Sequence, residues 1–141
     1  MKISIRQGVF ETNSSSVHSC SVCTSDEYKK WKNGEIWYNE GKDKYLPADE
    51  AIEFNLKLIK ENDEMTNEEF ETFAEIYRKT KSLYEAYESI GWDRDEDDFD
   101  PYDIYLNIDK YWEIYEYEDW SYSFKDTAGA NMVAWGYCGH D

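Results

Sequence analysis

A chain of 141 residues with 32 Asp and Glu against 15 Lys and Arg carries a formal charge of −17. Such a surface repels phosphate backbones and anionic membranes, which bind through stripes of Lys and Arg. No apolar run approaches the roughly 20 residues of a membrane span. Six Trp, 13 Tyr and 6 Phe make 18% of the chain, whereas disordered acidic segments are poor in aromatics. MKISIRQGVF lacks the apolar core of a signal peptide. One soluble, cytoplasmic domain spanning residues 1–141 is expected.

Along the chain, Ile3–Thr12 mixes β-branched and aromatic residues around Gly8 and predicts a strand. Asn13-Ser14-Ser15-Ser16 is a turn signal, because these side chains cap local backbone donors. Val17–Thr24 predicts a returning strand. Ser25 before Asp26 and Glu27 opens a short helix that Asn33 and Gly34 close, and Glu35–Asn39 predicts a short strand. Ala48–Glu61, entered through Pro47, sets Ile52, Leu56 and Ile59 at helical spacing. Thr66-Asn67-Glu68-Glu69 is a capping box opening a helix with Phe70, Phe73, Ala74 and Tyr77 on one face. Ser82–Ile90 predicts a further helical piece that ends at Gly91.

After Trp92 the composition changes. Residues 1–92 hold 18 acids and 12 bases, net −6; residues 93–141 hold 14 acids and 3 bases, net −11. The run from Asp93 to Pro101 has too many like charges for a helix interior and predicts a loop. Tyr111–Glu118, Trp120–Lys125 and Met132–Tyr137 approach the alternation of strands. The expected fold class is α+β, with N- and C-terminal strands pairing in an antiparallel sheet and helices between them.

All three Cys and both His fall in two windows, His18-Ser19-Cys20-Ser21-Val22-Cys23 and Cys138-Gly139-His140. On a tight turn, Cys20-x-x-Cys23 offers two thiolates to one tetrahedral ion. Cys138 and His140, two apart, share a face of an extended segment. Cys20, Cys23, Cys138 and His140 are therefore the expected ligands of a structural Zn2+, with His18 as the alternative nitrogen ligand. The ion would staple the two ends of a domain destabilised by its own charge. Free buried thiols and a redox pair are the competing readings, the second disfavoured by the odd thiol count. A catalytic zinc needs an open position and an adjacent base, and the sequence has no HExxH. It also has no phosphate-binding Gly loop, and the serines before His18 read as a turn rather than a nucleophile. A chain without enzymatic activity is expected.

The acidic run has three readings. It is a solvated loop, a calcium loop, or a contact surface for a basic partner that normally holds nucleic acid. The calcium pattern fails for want of Gly at its sixth position and Glu at its twelfth. The contact surface would use Asp93, Asp95, Glu96, Asp97, Asp98, Phe99 and Asp100, with Phe99 and Tyr102 as aromatic anchors. Trp112, Tyr115, Tyr117, Trp120 and Tyr122 alternate with acids, which suits one buried and one exposed face.

The stretch from Arg6 to Ser19, RQGVFETNSSSVHS, resembles a leader of small phage and mobile-element proteins, as does the Gly- and aromatic-rich ending from Val133 to Asp141. The likeness is confined to these two ends. Some small acidic proteins of this kind resemble anti-CRISPR proteins, inhibitors of type II RNA-guided DNA nucleases. That resemblance implies a phage-encoded inhibitor in the host cytoplasm, binding a type II CRISPR effector nuclease and blocking the loading or binding of target DNA. It supplies no contact residue. The alternatives are an acidic DNA mimic aimed at another defence system, such as a restriction complex, and a zinc-dependent hydrolase.

Overall fold

The computed structural model describes residues 10–11, 16–114 and 118–140, the side chains of 10–11, 16–18, 118 and 139–140 excepted. The first elements among the described residues are the strands β1 (Phe10–Glu11), β2 (Ser16–His18) and β3 (Ser21–Thr24). Thr24 ends this run. Its hydroxyl accepts the Glu27 N–H at 3.1 Å while the Glu27 carboxylate accepts the Thr24 N–H at 3.0 Å, a capping box that opens α1 (Ser25–Lys32). Gly34, at φ 80°, turns the chain towards the hairpin β4 (Ile36–Asn39) and β5 (Lys44–Pro47). Three helices follow, α2 (Ala48–Asn62), α3 (Asn67–Thr80) and α4 (Leu83–Ser89). The box at Thr66 and Glu69 forms as expected, with reciprocal bonds of 3.1 and 2.9 Å. A 3-10 turn at Glu96–Asp98 leads to α5 (Ile108–Ile114), and the long hairpin β6 (Glu118–Lys125) and β7 (Asn131–His140) completes the order.

The fold is α+β, and strands from the two ends pair antiparallel. β7 is flanked by β6 on one side and by β2 and β3 on the other, with β1 beyond β2. His18 faces Cys138 and Ser21 faces Trp135, so β2 and β3 keep one register on β7 with no inserted residue. Between them the Ser19 N–H donates to the Tyr137 carbonyl at 2.9 Å, and the Ser19 hydroxyl accepts the Tyr137 N–H at 3.0 Å. The Ser19 carbonyl meanwhile lies over Gly136, where a side chain would collide with it. Alternation does the rest: Val133, Trp135 and Tyr137 are buried, with Ser21 and Cys23 buried across from Trp135 and Val133.

Trp31, delivered by α1, is fully buried at the centre of the aromatic core. Its ring centre lies 4.6 Å from that of Trp135, 5.4 Å from Tyr111 and 5.7 Å from Tyr38. Beside it runs Ile104-Tyr105-Leu106, exposed by 0%, 3% and 2%. Peptide groups buried so deeply must find partners. Tyr38 and Leu106 exchange backbone bonds of 2.9 and 2.8 Å. Asn39 Nδ2 donates to the Ile104 carbonyl at 3.0 Å. Asn55 Nδ2 donates to the Tyr105 carbonyl and Asn55 Oδ1 accepts the Tyr105 N–H, each at 2.9 Å.

Three expectations need amendment. Tyr111–Glu118 reads as a strand, but Ile108–Ile114 is helical, because Asn107 Oδ1 accepts the Lys110 N–H at 2.8 Å and Trp31 draws Tyr111 and Trp112 into the core. Lys44–Pro47, expected as no element, is a strand paired with β4. The acidic run is not simply loop, since its centre winds into the 3-10 turn. The strand expected at Ile3–Thr12 lies outside the described residues except for Phe10 and Glu11, as does the turn at Asn13–Ser16 except for Ser16.

Asn55→Ala strands both Tyr105 backbone groups and is expected to lower unfolding free energy by about 2–4 kcal/mol in urea denaturation. Asn62→Ala, which removes an exposed bond to the Leu58 carbonyl, should change it by less than about 0.5 kcal/mol.

Candidate functional site

Cys23 lies in the interior of β3 and is 0% exposed, within the core cluster that holds Trp31 and Trp135. Burial above all, and then Cys23 beside it, holds the Tyr45 phenol far above its ordinary value. Cys20 and Cys138 are half-buried and form no disulfide. Burial pushes the Cys20 thiol up. Cys20 lies in the two-residue link between β2 and β3, and Cys23 is the third residue of β3. Among the described side chains, no three of His, Cys, Asp and Glu gather where they could hold a metal ion. The side chains of His18 and His140 lie outside that set; the backbone register sets His18 opposite Cys138 and His140 opposite Ser16.

The acidic run is built around its one base. Arg94 Nη1 donates to both Asp63 oxygens, at 3.0 and 3.1 Å, and the Tyr87 hydroxyl donates to Asp63 Oδ2 at 2.6 Å. The same guanidinium sits 5.2 Å from the Tyr87 ring centre and 5.0 Å from that of Phe99. Two members of the expected contact set turn inward as a result. Glu96, 5% exposed, accepts the Leu83 N–H at 2.9 Å and so caps α4, with Lys110 Nζ 3.9 Å away. Phe99 is half-buried against Tyr87. Asp95 caps the 3-10 turn by accepting the Asp97 N–H at 2.8 Å. Asp93, Asp97, Asp98 and Asp100 remain exposed.

Exposed tyrosines border these carboxylates. Tyr84, 50% exposed, lines a hollow of about 280 Å³ with Ser82, Glu85, Asp95, Glu96, Asp97, Lys110 and Glu113. Tyr102, 41% exposed, donates its backbone N–H to Asp100 at 2.9 Å. A hydrogen bond with Glu88 raises the Tyr84 phenol, and the charges of Glu88, Asp93 and Asp95 raise it further. The sequence singled out the acids and Tyr102 but not Tyr84 or Glu113, which join them only through the packing of α4 and α5. The lone Arg94 among so many acids was the available sign of an anchor.

A larger hollow of about 580 Å³ lies among Gly34, Ala48, Ile52, Glu53, Arg78 and Lys81. Two of its charged groups pair: Arg78 donates to Glu53 at 2.7 and 2.9 Å, and the bond holds the Glu53 carboxyl below its ordinary range. Of the aromatics that alternate with acids, Trp112 packs on the core, Tyr122 is exposed, and Tyr115 and Tyr117 lie outside the described residues. Among the described residues no helix is long and apolar enough to cross a membrane.

No family model, curated protein or solved structure matches the chain.

Glu96→Ala is expected to cost about 1–2 kcal/mol of stability, while Glu96→Gln, which keeps an acceptor for Leu83, retains most of it in the same denaturation assay. Asp97 behaves oppositely. Loss of part of its hydration, followed by the charges of Asp95 and Glu113, raises its carboxyl, so its charged form destabilises the folded state as pH rises through that value. Asp97→Asn should therefore give a slightly more stable protein at neutral pH. The gain should shrink with salt and vanish at a pH below the ordinary carboxylate range.

Proposed function

We propose that this chain is a phage-encoded inhibitor without enzymatic activity, acting in the host cytoplasm by binding a basic, nucleic-acid-holding protein. A type II CRISPR effector nuclease is the partner that the resemblance of its two ends suggests. The observation that carries the reading is the ordered acidic surface: Asp93, Asp97, Asp98 and Asp100 project from a segment that Arg94 pins to Asp63, between exposed Tyr84 and Tyr102. Carboxylates held in place on a rigid segment lose little conformational freedom on binding. Tyrosine is enriched at interfaces and adds contact area that acids alone do not. Such effectors hold their heteroduplex in a positively charged channel and engage duplex DNA through basic residues. A body at −17 is steered towards those surfaces and competes there with DNA. A structural zinc joining the N- and C-terminal strands belongs to the same proposal, as a support for the fold rather than a centre of chemistry.

Retention of the full chain on an immobilised type II effector–guide complex tests this. Binding is expected at low salt, with loss as salt rises and displacement by target DNA. Reversal of Asp97 and Asp98 to Lys should weaken binding by roughly tenfold or more, chiefly through slower association. No retention at low salt would sink the proposal, and capture of a restriction complex instead would redirect it to another defence system.

A further inference from the structure

Among the described residues β6 pairs with β7 alone, so its other side is an open sheet edge. The edge is long, eight residues from Glu118 to Lys125, in unbroken register with β7 and without a bulge or a proline. Proteins ordinarily blunt such an edge, because the alternate N–H and C=O groups along it are ready to pair with another strand. Register sorts its side chains. Asp119, Ser121 and Ser123 stand opposite Tyr137, Trp135 and Val133, which are buried and mark the core side. Trp120, Tyr122 and Phe124 share the other face, opposite Gly136, Ala134 and Met132. The Tyr122 and Phe124 rings stack there, 6.3 Å apart and 13° from parallel. Tyr122 is 66% exposed, more than Tyr84 or Tyr102.

Outward from Tyr122 the strand is symmetric in its chemistry. Ser121 and Ser123 flank it, then the aromatics Trp120 and Phe124, then an acid and a base, Asp119 and Lys125. A two-fold axis normal to the sheet at Tyr122 sets a second copy antiparallel along this edge, with both core faces on the same side. Tyr122 then meets its own counterpart, while Ser121 meets Ser123, Trp120 meets Phe124 and Asp119 meets Lys125, each of these three twice. Every pair is favourable: aromatic on aromatic, hydroxyl on hydroxyl, carboxylate on ammonium. Moving the axis to Ser121 or Ser123 separates Asp119 from Lys125. The pairing stops at Lys125, because the Asp126 carboxylate is turned into the β6–β7 turn, where it accepts the Ala128 and Ala130 N–H groups, each at 2.9 Å.

We propose that β6 is a homodimer interface, at which a second copy of the chain adds its own β6 antiparallel with Tyr122 on the two-fold axis. The two main sheets then run on as one. None of these residues belongs to the acidic surface, and the dimer does not depend on what that surface binds.

The test is sedimentation velocity of the full chain over a concentration series at low and high salt. A monomer–dimer equilibrium is expected, shifted towards dimer by salt, because copies at −17 repel until screened. Tyr122→Asp changes an exposed side chain, so the fold should survive, as far-UV circular dichroism will check. It should weaken the dimer by roughly tenfold or more, since it sets two carboxylates against each other. Asp119→Lys and Lys125→Asp should each weaken it by roughly fivefold, and the two together should restore it. Asp119→Lys also lowers the net charge, so a non-specific association would be strengthened by it. A monomer at every concentration and salt overturns the proposal. So does a dimer that these substitutions leave unchanged, or one that the double exchange fails to restore.

Discussion

Everything else in the fold is arranged around a short length of backbone that water never reaches. Ile104-Tyr105-Leu106 carries its peptide groups into the core, where each unpaired one would cost several kcal/mol by transfer to an apolar medium. Asn39 from the small hairpin, Asn55 from α2 and the backbone of Tyr38 supply the partners. Elements far apart in sequence are thereby fixed to one another by directional bonds, whereas greasy contact alone would let them slide. The indole of Trp31 adds a bond to the Leu106 carbonyl at 3.3 Å and hands the constraint on to the aromatic cluster and the main sheet.

The acidic surface obeys the same logic one layer further out. Fourteen acids against three bases after Trp92 would favour an expanded chain. Arg94 counters this by offering charge to Asp63 and its flat face to Tyr87 and Phe99 at once, a combination that a lysine cannot match. Glu96 contributes an acceptor to a helix end. Part of the negative charge is thus spent internally, and only the remainder is displayed.

Helices were legible where capping chemistry and apolar spacing coincided, as at Thr66 and Glu69 or along Ile52, Leu56 and Ile59. The closing hairpin was legible from its alternation. Tyr111 and Trp112 misled because aromatics favour strands on average, and the choice went instead to the Asn107 cap and to the space beside Trp31. Asn39 and Asn55 look like ordinary polar residues in sequence, since nothing local reveals which backbone they serve some 50 or more residues away. Among the site residues, the exposed aspartates were readable from composition. The inward turn of Glu96 and the burial of Cys23 were not, because each depends on a partner brought by tertiary packing.

β7, which carries β6 on one side and β2 and β3 on the other, is also the last described strand to be synthesised. Its neighbours β2 and β3 precede it by more than a hundred residues, so a growing polypeptide holds β3 unpaired, and β2 paired with β1 alone, until β7 emerges. Contacts of such long sequence separation form slowly and leave sheet edges open meanwhile. The helical middle can organise during translation, but the main sheet must close afterwards in one event. A ribosome stalled before Asn131 would present a chain whose open strands are ready substrates for chaperones and proteases.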